Sequence, residues 1–205
     1  MWARVISFVF HPLFLPTYFF VFLAWTLPAM LEPISVALQP KFLLFFFLVT
    51  CGIPLLNVAV FRLFGTLRSF LMVERKERLL PFVFVSVIYI ALTYMFVSQR
   101  MMNLNDNFLK LKIIIDMLVV TGTVMTFFFK VSLHSLAIWG LIGMMMSLNK
   151  LTGISTIFYG SIVLILLAGF IMSARLKTGS HTLREVMWGA VAGLMTGILG
   201  MLLLF

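Results

Sequence analysis

Three side chains that can carry acid–base or nucleophilic chemistry fall close together near the C-terminal end of the chain. Arg175 is followed after five residues by His181, and His181 is followed after three by Glu185. Only 10% of the residues are charged, so such a cluster is unusual for this chain. If a helix begins near His181, the imidazole and the carboxylate lie one turn apart on one face. The carboxylate can then accept the Nδ1–H and leave the lone pair on Nε2, as a nucleophile or base requires.

The same segment also has a structural interpretation. Gly179 and Ser180 predict a turn before the last helix. Thr182 and Glu185 match a capping box, in which the carboxylate only satisfies backbone N–H groups. Arg175 could equally anchor the chain to lipid headgroups. The sequence of this segment leaves both alternatives open.

Two other polar segments interrupt the apolar sequence. Ser132 and His134 begin an apolar stretch, where the first N–H groups of a helix can bind an anion. The alternative is a histidine that is hydrogen-bonded inside the helical bundle. Arg68 and Arg75 are about two helical turns apart and would project to a similar side. The alternative there is a solvated basic face that is partly paired with neighbouring glutamates.

The elements that must position these groups are membrane helices. The chain has 205 residues, 63% of them hydrophobic, and a mean hydropathy of +1.18, whereas soluble domains are about 45–50% apolar. A membrane span needs about 20 mainly apolar residues. Seven candidates lie at 14–31, 42–64, 80–98, 111–129, 132–149, 156–173 and 186–205. The first contains two prolines and the fifth is short, so we expect six or seven transmembrane helices in an all-α, polytopic bundle that forms a single domain over 1–205.

The connections between these spans are short and divide between the two membrane faces. Residues 65–79, 130–131 and 174–185 share one face, because two crossings separate successive members of the set. Residues 32–41, 99–110 and 150–155 share the other. The polar segments all fall at the first face or beside it, so we expect them to converge on one site.

Composition argues against several other classes. The net charge is +9, but no basic run is interleaved with aromatic residues as in nucleic-acid-binding proteins. Cys51 is the one cysteine, which rules out an internal disulfide and leaves no Cys/His cluster for zinc. We therefore expect no metal and no cofactor. The basic charge is expected to serve lipid headgroups, membrane topology or an anionic substrate.

Together, the three segments supply two histidines, a carboxylate and several arginines. Arginine side chains bind a tetrahedral oxyanion through paired N–H groups. One histidine can attack the phosphorus while the other protonates the leaving oxygen. This set predicts phosphoryl transfer through a phosphohistidine without a metal ion.

The pattern resembles the type-2 phosphatidic acid phosphatase superfamily, which includes lipid phosphate phosphatases and vanadium haloperoxidases. Its signature reads Lys-x6-Arg-Pro, then Pro-Ser-Gly-His, then Ser-Arg-x5-His-x3-Asp. The corresponding segments here run from Arg68 to Arg75, from Val131 to His134, and from Ala174 to Glu185. The first segment has Arg for Lys and lacks the proline, the second lacks Pro and Gly, and the third has Glu for Asp. Arg78, followed by Pro81, is an alternative match to the second basic position of the first segment.

The resemblance implies a role for each of these residues. It implies that His181 is the nucleophile, that Glu185 orients it and that His134 is the general acid. The phosphate ligands that the resemblance implies are Arg68, Arg75, Arg175 and Ser132. The substrate would be a lipid phosphate or diphosphate in the bilayer. The alternative is a non-catalytic membrane protein that binds anionic lipid or a partner through the same basic face.

The resemblance also implies a bacterial inner-membrane protein with its site facing outward. The positive-inside rule favours the opposite orientation, because the face with the motifs carries nine basic residues against five, Lys112 among the five. Leaving out the proposed phosphate ligands and the adjacent Lys130 makes the counts equal. Two further polar residues stand outside the motifs. His11 is expected to be a cap or interfacial residue, with a substrate role as the alternative, and Asp116 is expected to pair with a neighbouring helix.

Overall fold

The described part of the chain is entirely helical outside its turns and connections. This computed structural model describes residues 2–65, 75–98 and 106–205. Eight helices follow one another in that part, and a short 3-10 helix covers Pro28–Leu31. The helices are α1 (Trp2–Val9), α2 (Leu15–Thr26), α3 (Gln39–Leu63), α4 (Arg75–Ser98), α5 (Asp106–Phe128), α6 (Leu133–Thr152), α7 (Ser155–Lys177) and α8 (Leu183–Leu204). The expected all-α class is confirmed.

Five of these helices are long and apolar enough to cross a membrane. They are α3, α4 from Glu77 onward, α5, α7 and α8, with 22 to 25 residues each. At about 1.5 Å per residue, each exceeds the roughly 30 Å thickness of the hydrocarbon core. These helices indicate an integral membrane protein.

Two of the predicted spans have a different form in the structure. The stretch predicted at 14–31 is divided into α2, which has 12 residues, and the 3-10 helix that starts at Pro28. Proline disfavours a helical conformation at the residue before it, which explains the break at Leu27. The stretch predicted at 132–149 forms α6, which has 20 residues but is not among the five apolar helices.

The chain divides into two compact units. The first unit consists of Met1–Leu15 and Lys130–Phe205, and the second consists of Pro16–Phe129. The first unit therefore combines α1 with α6, α7 and α8. The second combines α2 to α5.

Aromatic rings and a buried ion pair hold the second unit together. The Phe20 ring packs on Phe46 and Phe108 at centroid distances of 5.0 and 4.7 Å. The Lys112 ammonium pairs with the Asp116 carboxylate one turn further along α5. Lys112 also donates to Thr93 Oγ1 of α4 at 2.9 Å.

This ion pair bears on two expectations from the sequence. Asp116 does pair with a neighbouring helix, because Thr93 of α4 donates to its carboxylate, and its ionic partner Lys112 lies on its own helix. Lys112, counted above as a base at the membrane face, is fully buried. A charge inside a membrane helix is costly unless it is paired, which is the state of both residues here.

Close packing between α6 and α8 dominates the first unit. A methyl group added at Gly189 would lie 2.5 Å from the Ser132 carbonyl oxygen, nearer than ordinary van der Waals contact. Gly193 and Gly197 approach the α6 backbone in the same way at Leu136 and Gly140. Glycines four residues apart allow two helix backbones to approach closely. This packing fixes the start of α6 against the start of α8, where the polar residues lie.

Candidate functional site

The turn between α7 and α8 positions His181. Gly179 follows the last turn of α7 with φ at +63°, a conformation that glycine adopts without steric cost. Thr182 caps α8, and its hydroxyl accepts the Glu185 backbone N–H at 3.3 Å. His181 therefore lies in the turn, one residue before the cap, rather than in the helix. The turn predicted at Gly179 and Ser180 is confirmed.

The His181 imidazole and the Glu185 carboxylate form a short hydrogen bond. His181 Nδ1 lies 2.7 Å from Glu185 Oε2, and the histidine side chain is only 3% exposed. Since an ionised carboxylate only accepts, the imidazole proton lies on Nδ1 and the lone pair on Nε2. The Lys130 ammonium lies 4.0 Å from the same carboxylate oxygen. The Thr182 half of the predicted capping box is thus present, while the Glu185 carboxylate contacts the histidine.

The start of α6 lies directly against the start of α8. The Ser132 backbone N–H donates to the Glu185 carbonyl at 3.2 Å. The Ser132 hydroxyl caps α6 by accepting from the Ser135 backbone N–H at 3.4 Å, and it contacts the Ser135 hydroxyl at 3.2 Å. Ser132 is fully buried. Its hydroxyl is thus engaged with the helix end that carries His134.

His134 lies in the first turn of α6 and reaches the N-terminal segment of the chain. Its Nε2 lies 2.9 Å from the carbonyl oxygen of Ser7 in α1. A carbonyl oxygen can only accept, so Nε2 carries the proton and Nδ1 the lone pair. The His134 ring meets the ring of His11 edge to face, with centroids 5.5 Å apart and an interplanar angle of 85°.

The electrostatic surroundings keep His11 neutral. Burial, followed by the Arg175 charge, lowers the pKa of His11 to about 4. A cation beside a buried imidazole disfavours the imidazolium form. An anion bound beside Arg175 would reverse this effect.

Most of the residues predicted for the site come together in the first unit. These are His134, His181, Glu185, Ser132 and Arg175, the last in the final turn of α7. Arg68 lies outside the described residues. Arg75 begins α4 in the second unit, and its side chain is not among those described.

In residues 2–65, 75–98 and 106–205, no three His, Cys, Asp or Glu side chains are placed to hold a metal ion. The Arg175 guanidinium places a positive charge near the imidazoles of both His11 and His134. Such surroundings favour an oxyanion.

The sequence favours a cap or interfacial role for His11 over a substrate role, and it does not single out Ser7. His11 had one visible signal, an imidazole placed between two apolar segments and followed by proline. The carbonyl of Ser7 has no signal in the sequence, because every residue carries one. Only the packing of the first unit brings these two residues to His134.

Comparison with known protein families, curated proteins and solved structures found no match. The resemblance described from the three motifs therefore stays a prediction.

Proposed function

We propose that this protein is a metal-independent membrane phosphatase, which hydrolyses a lipid phosphate or diphosphate through a phosphohistidine. The observation that carries the proposal is the 2.7 Å contact between His181 Nδ1 and Glu185. An anion-binding surface needs basic side chains, but it does not need an imidazole oriented by a carboxylate. A histidine held in this tautomer has the form required of a nucleophile.

In the proposed reaction, His181 Nε2 attacks the phosphorus atom and the bond from phosphorus to the lipid oxygen breaks. His134, protonated at Nδ1 because its Nε2–H is donated to Ser7, gives the Nδ1 proton to the departing oxygen. Neutral His134 then takes a proton from a water molecule, which attacks the phosphohistidine to release phosphate and regenerate His181. A phosphate bound beside Arg175 would offset the positive charge near His134, so that substrate binding and protonation of His134 are coupled.

The remaining phosphate ligands differ in their support. Arg175 is supported by its electrostatic influence on both His11 and His134. Ser132 would act through its position, since its hydroxyl caps α6 beside His134. The roles proposed for Arg68 and Arg75 rest on the sequence motif alone.

We also propose that α6 is a sixth transmembrane helix. It packs closely along α8, a candidate span, over the length from Gly189 to Gly197. Many of its residues are buried within the first unit, including His134 and most of the residues between Leu136 and Leu148. A helix enclosed by protein rather than by lipid tolerates polar side chains. If α2 and the following 3-10 helix also crossed, there would be seven spans.

The test is phosphate release by the purified full-length protein in detergent, with a chelator present. The substrates are phosphatidic acid, phosphatidylglycerophosphate and a polyprenyl diphosphate. We expect turnover of at least one of them, inhibition by orthovanadate, and loss of turnover in His181→Ala and His134→Ala. Glu185→Gln should lower turnover on the order of a thousandfold, because it no longer fixes the imidazole. Arg184→Ala is the matched control, since it removes an exposed charge from the same turn of α8.

Two results would overturn the assignment. Turnover that persists in His181→Ala would remove the phosphohistidine. Binding of anionic lipid without any turnover would favour the non-catalytic alternative. The proposed outward orientation is tested separately with Thr178→Cys, since the natural Cys51 is buried. The introduced cysteine should react with an impermeant maleimide on intact cells, and protection there would place the site on the inner face.

A further inference from the structure

The imidazole of His11 packs against that of His134, yet none of the three motifs includes it. Its ring centroid lies 5.5 Å from that of His134, and the two rings meet edge to face. Both rings belong to the first unit, where the Arg175 charge acts on each of them. His134 Nε2 already donates to Ser7, so the groups beside it that can donate to an oxyanion are the Arg175 guanidinium and the His11 imidazole.

The turn after α1 fixes the tautomer of His11. The Leu13 backbone N–H donates to His11 Nδ1 at 3.3 Å. Because Nδ1 accepts, the proton of the neutral ring lies on Nε2. Nε2 occupies the edge of the ring opposite the turn, so the turn orients an N–H donor away from its own backbone.

The spacing of this cluster suits a single phosphate group. A hydrogen bond from an N–H donor to an oxygen spans about 2.7–3.2 Å. Because the two ring centroids are 5.5 Å apart, the Nε2–H of His11 and, once His134 is protonated, the Nδ1–H of His134 can each reach a different oxygen of one tetrahedral anion. His134 is held in place by Ser7, two residues from the end of α1, and His11 follows the same helix. The N-terminal segment would thus contribute both a support for the site and a ligand.

We infer that His11 is a further substrate-binding residue, which donates its Nε2–H to a phosphate oxygen of the substrate. This inference rests on the proposed function for its substrate, but its ligand chemistry is that of any tetrahedral oxyanion. The Leu13 backbone N–H donates to His11 Nδ1 and so holds the ring in the tautomer that has its proton on Nε2. The N-terminal segment before α2 would accordingly be part of the site rather than a membrane anchor alone.

Two conservative substitutions separate the donor from the acceptor of this ring. In His11→Asn, the amide oxygen can replace Nδ1 as acceptor for the Leu13 N–H, and the Nε2 donor is lost. In His11→Gln, the amide nitrogen can reach the Nε2 position, and the acceptor near the backbone is lost. A role in the turn alone predicts that Asn is tolerated and Gln is not. A role in anion binding predicts the reverse.

The experiment measures the Kd for inorganic phosphate by calorimetry with full-length protein in detergent, together with KM and kcat on the best lipid phosphate. We expect His11→Asn to weaken phosphate binding about tenfold, as for one lost hydrogen bond, with an increase in KM larger than the decrease in kcat. His11→Gln should stay within about threefold of the wild type. If His11→Asn does not fold, His11→Ala should bind about tenfold more weakly than His11→Gln.

The opposite order of the Asn and Gln variants, or equal binding by all variants, would overturn the inference. Failure of the proposed function gives a different result. A wild type that binds phosphate, loses affinity in His11→Asn and hydrolyses no lipid phosphate would retain the anion site and refute the phosphatase. A wild type that hydrolyses lipid phosphate with unchanged KM in His11→Asn would retain the phosphatase and refute the role of His11.

Discussion

Replacing Gly189 with alanine tests whether close packing of α6 on α8 sets the geometry of the candidate site. A methyl group there would lie 2.5 Å from the Ser132 carbonyl oxygen and 3.3 Å from the Leu136 nitrogen. Ordinary contact begins at 3.4 Å, so the two helices must separate by about 0.9 Å at this point. Both close contacts are backbone atoms, which cannot rotate away as a side chain would. The displacement falls four residues from Glu185, whose carbonyl accepts from Ser132.

The cost of this substitution follows from that displacement. Overpacking of a close interface costs typically about 1–3 kcal/mol. Alanine recovers up to about 1 kcal/mol through its better helix propensity. We therefore expect a net destabilisation of about 1–2 kcal/mol. A misplacement near 1 Å between catalytic groups can also lower a rate on the order of a hundredfold.

The assay is thermal unfolding in detergent, followed by tryptophan fluorescence, together with turnover of the lipid phosphate. A loss of about 1–2 kcal/mol should lower Tm by several degrees in a chain of this size. Gly169→Ala is the matched control, because Gly169 lies within α7 and, among the described residues, no atom outside the neighbouring backbone of that helix lies within 4 Å of the added methyl. It should keep both Tm and turnover or raise Tm slightly. Equal behaviour of the two alanine variants would refute the proposed control of the site by this interface.

Two further predictions concern buried charge. Asp116→Leu leaves the fully buried Lys112 without its ionic partner and should lower the free energy of unfolding by about 3–5 kcal/mol. The double variant with Lys112→Met should recover most of the loss in Tm. If the double variant does not recover, the loss is due to packing instead. The second concerns acid, since the pKa of His11 is lowered to about 4 from an ordinary 6.5. The unfolded chain therefore binds this proton below pH 6.5 while the folded chain does not, and stability falls as pH decreases from 6.5 toward 4 by on the order of 1 kcal/mol per pH unit. Tm measured between pH 7.5 and 5 should show a shallower slope in His11→Asn, and an unchanged slope would contradict the assigned burial.

The local elements of the candidate site could be predicted because short chain segments define them. The turn at Gly179 and the contact between His181 and Glu185 depend on four or five consecutive residues. Even here the sequence placed the histidine inside the helix, and the structure places it one residue before the Thr182 cap. The capping box and the oriented imidazole looked like alternatives, but Glu185 takes part in both. Its backbone N–H donates to the Thr182 cap, and its carboxylate contacts His181.

The sequence by itself determined the membrane class and the positions of the long helices, because a span is defined by the length and apolar character of one continuous segment. It also predicted a contact between His181 and Glu185 as one of two alternatives, since a separation of four residues brings two side chains to one face of a helix. Tertiary structure alone decided that His134 bonds to Ser7, 127 residues away, and that His11 lies beside it. It also decided that Lys112 is a buried partner of Asp116 and not a base at the membrane face. These outcomes depend on which helix faces pack against each other, and contacts between distant segments are set by close approach of backbones rather than by local spacing.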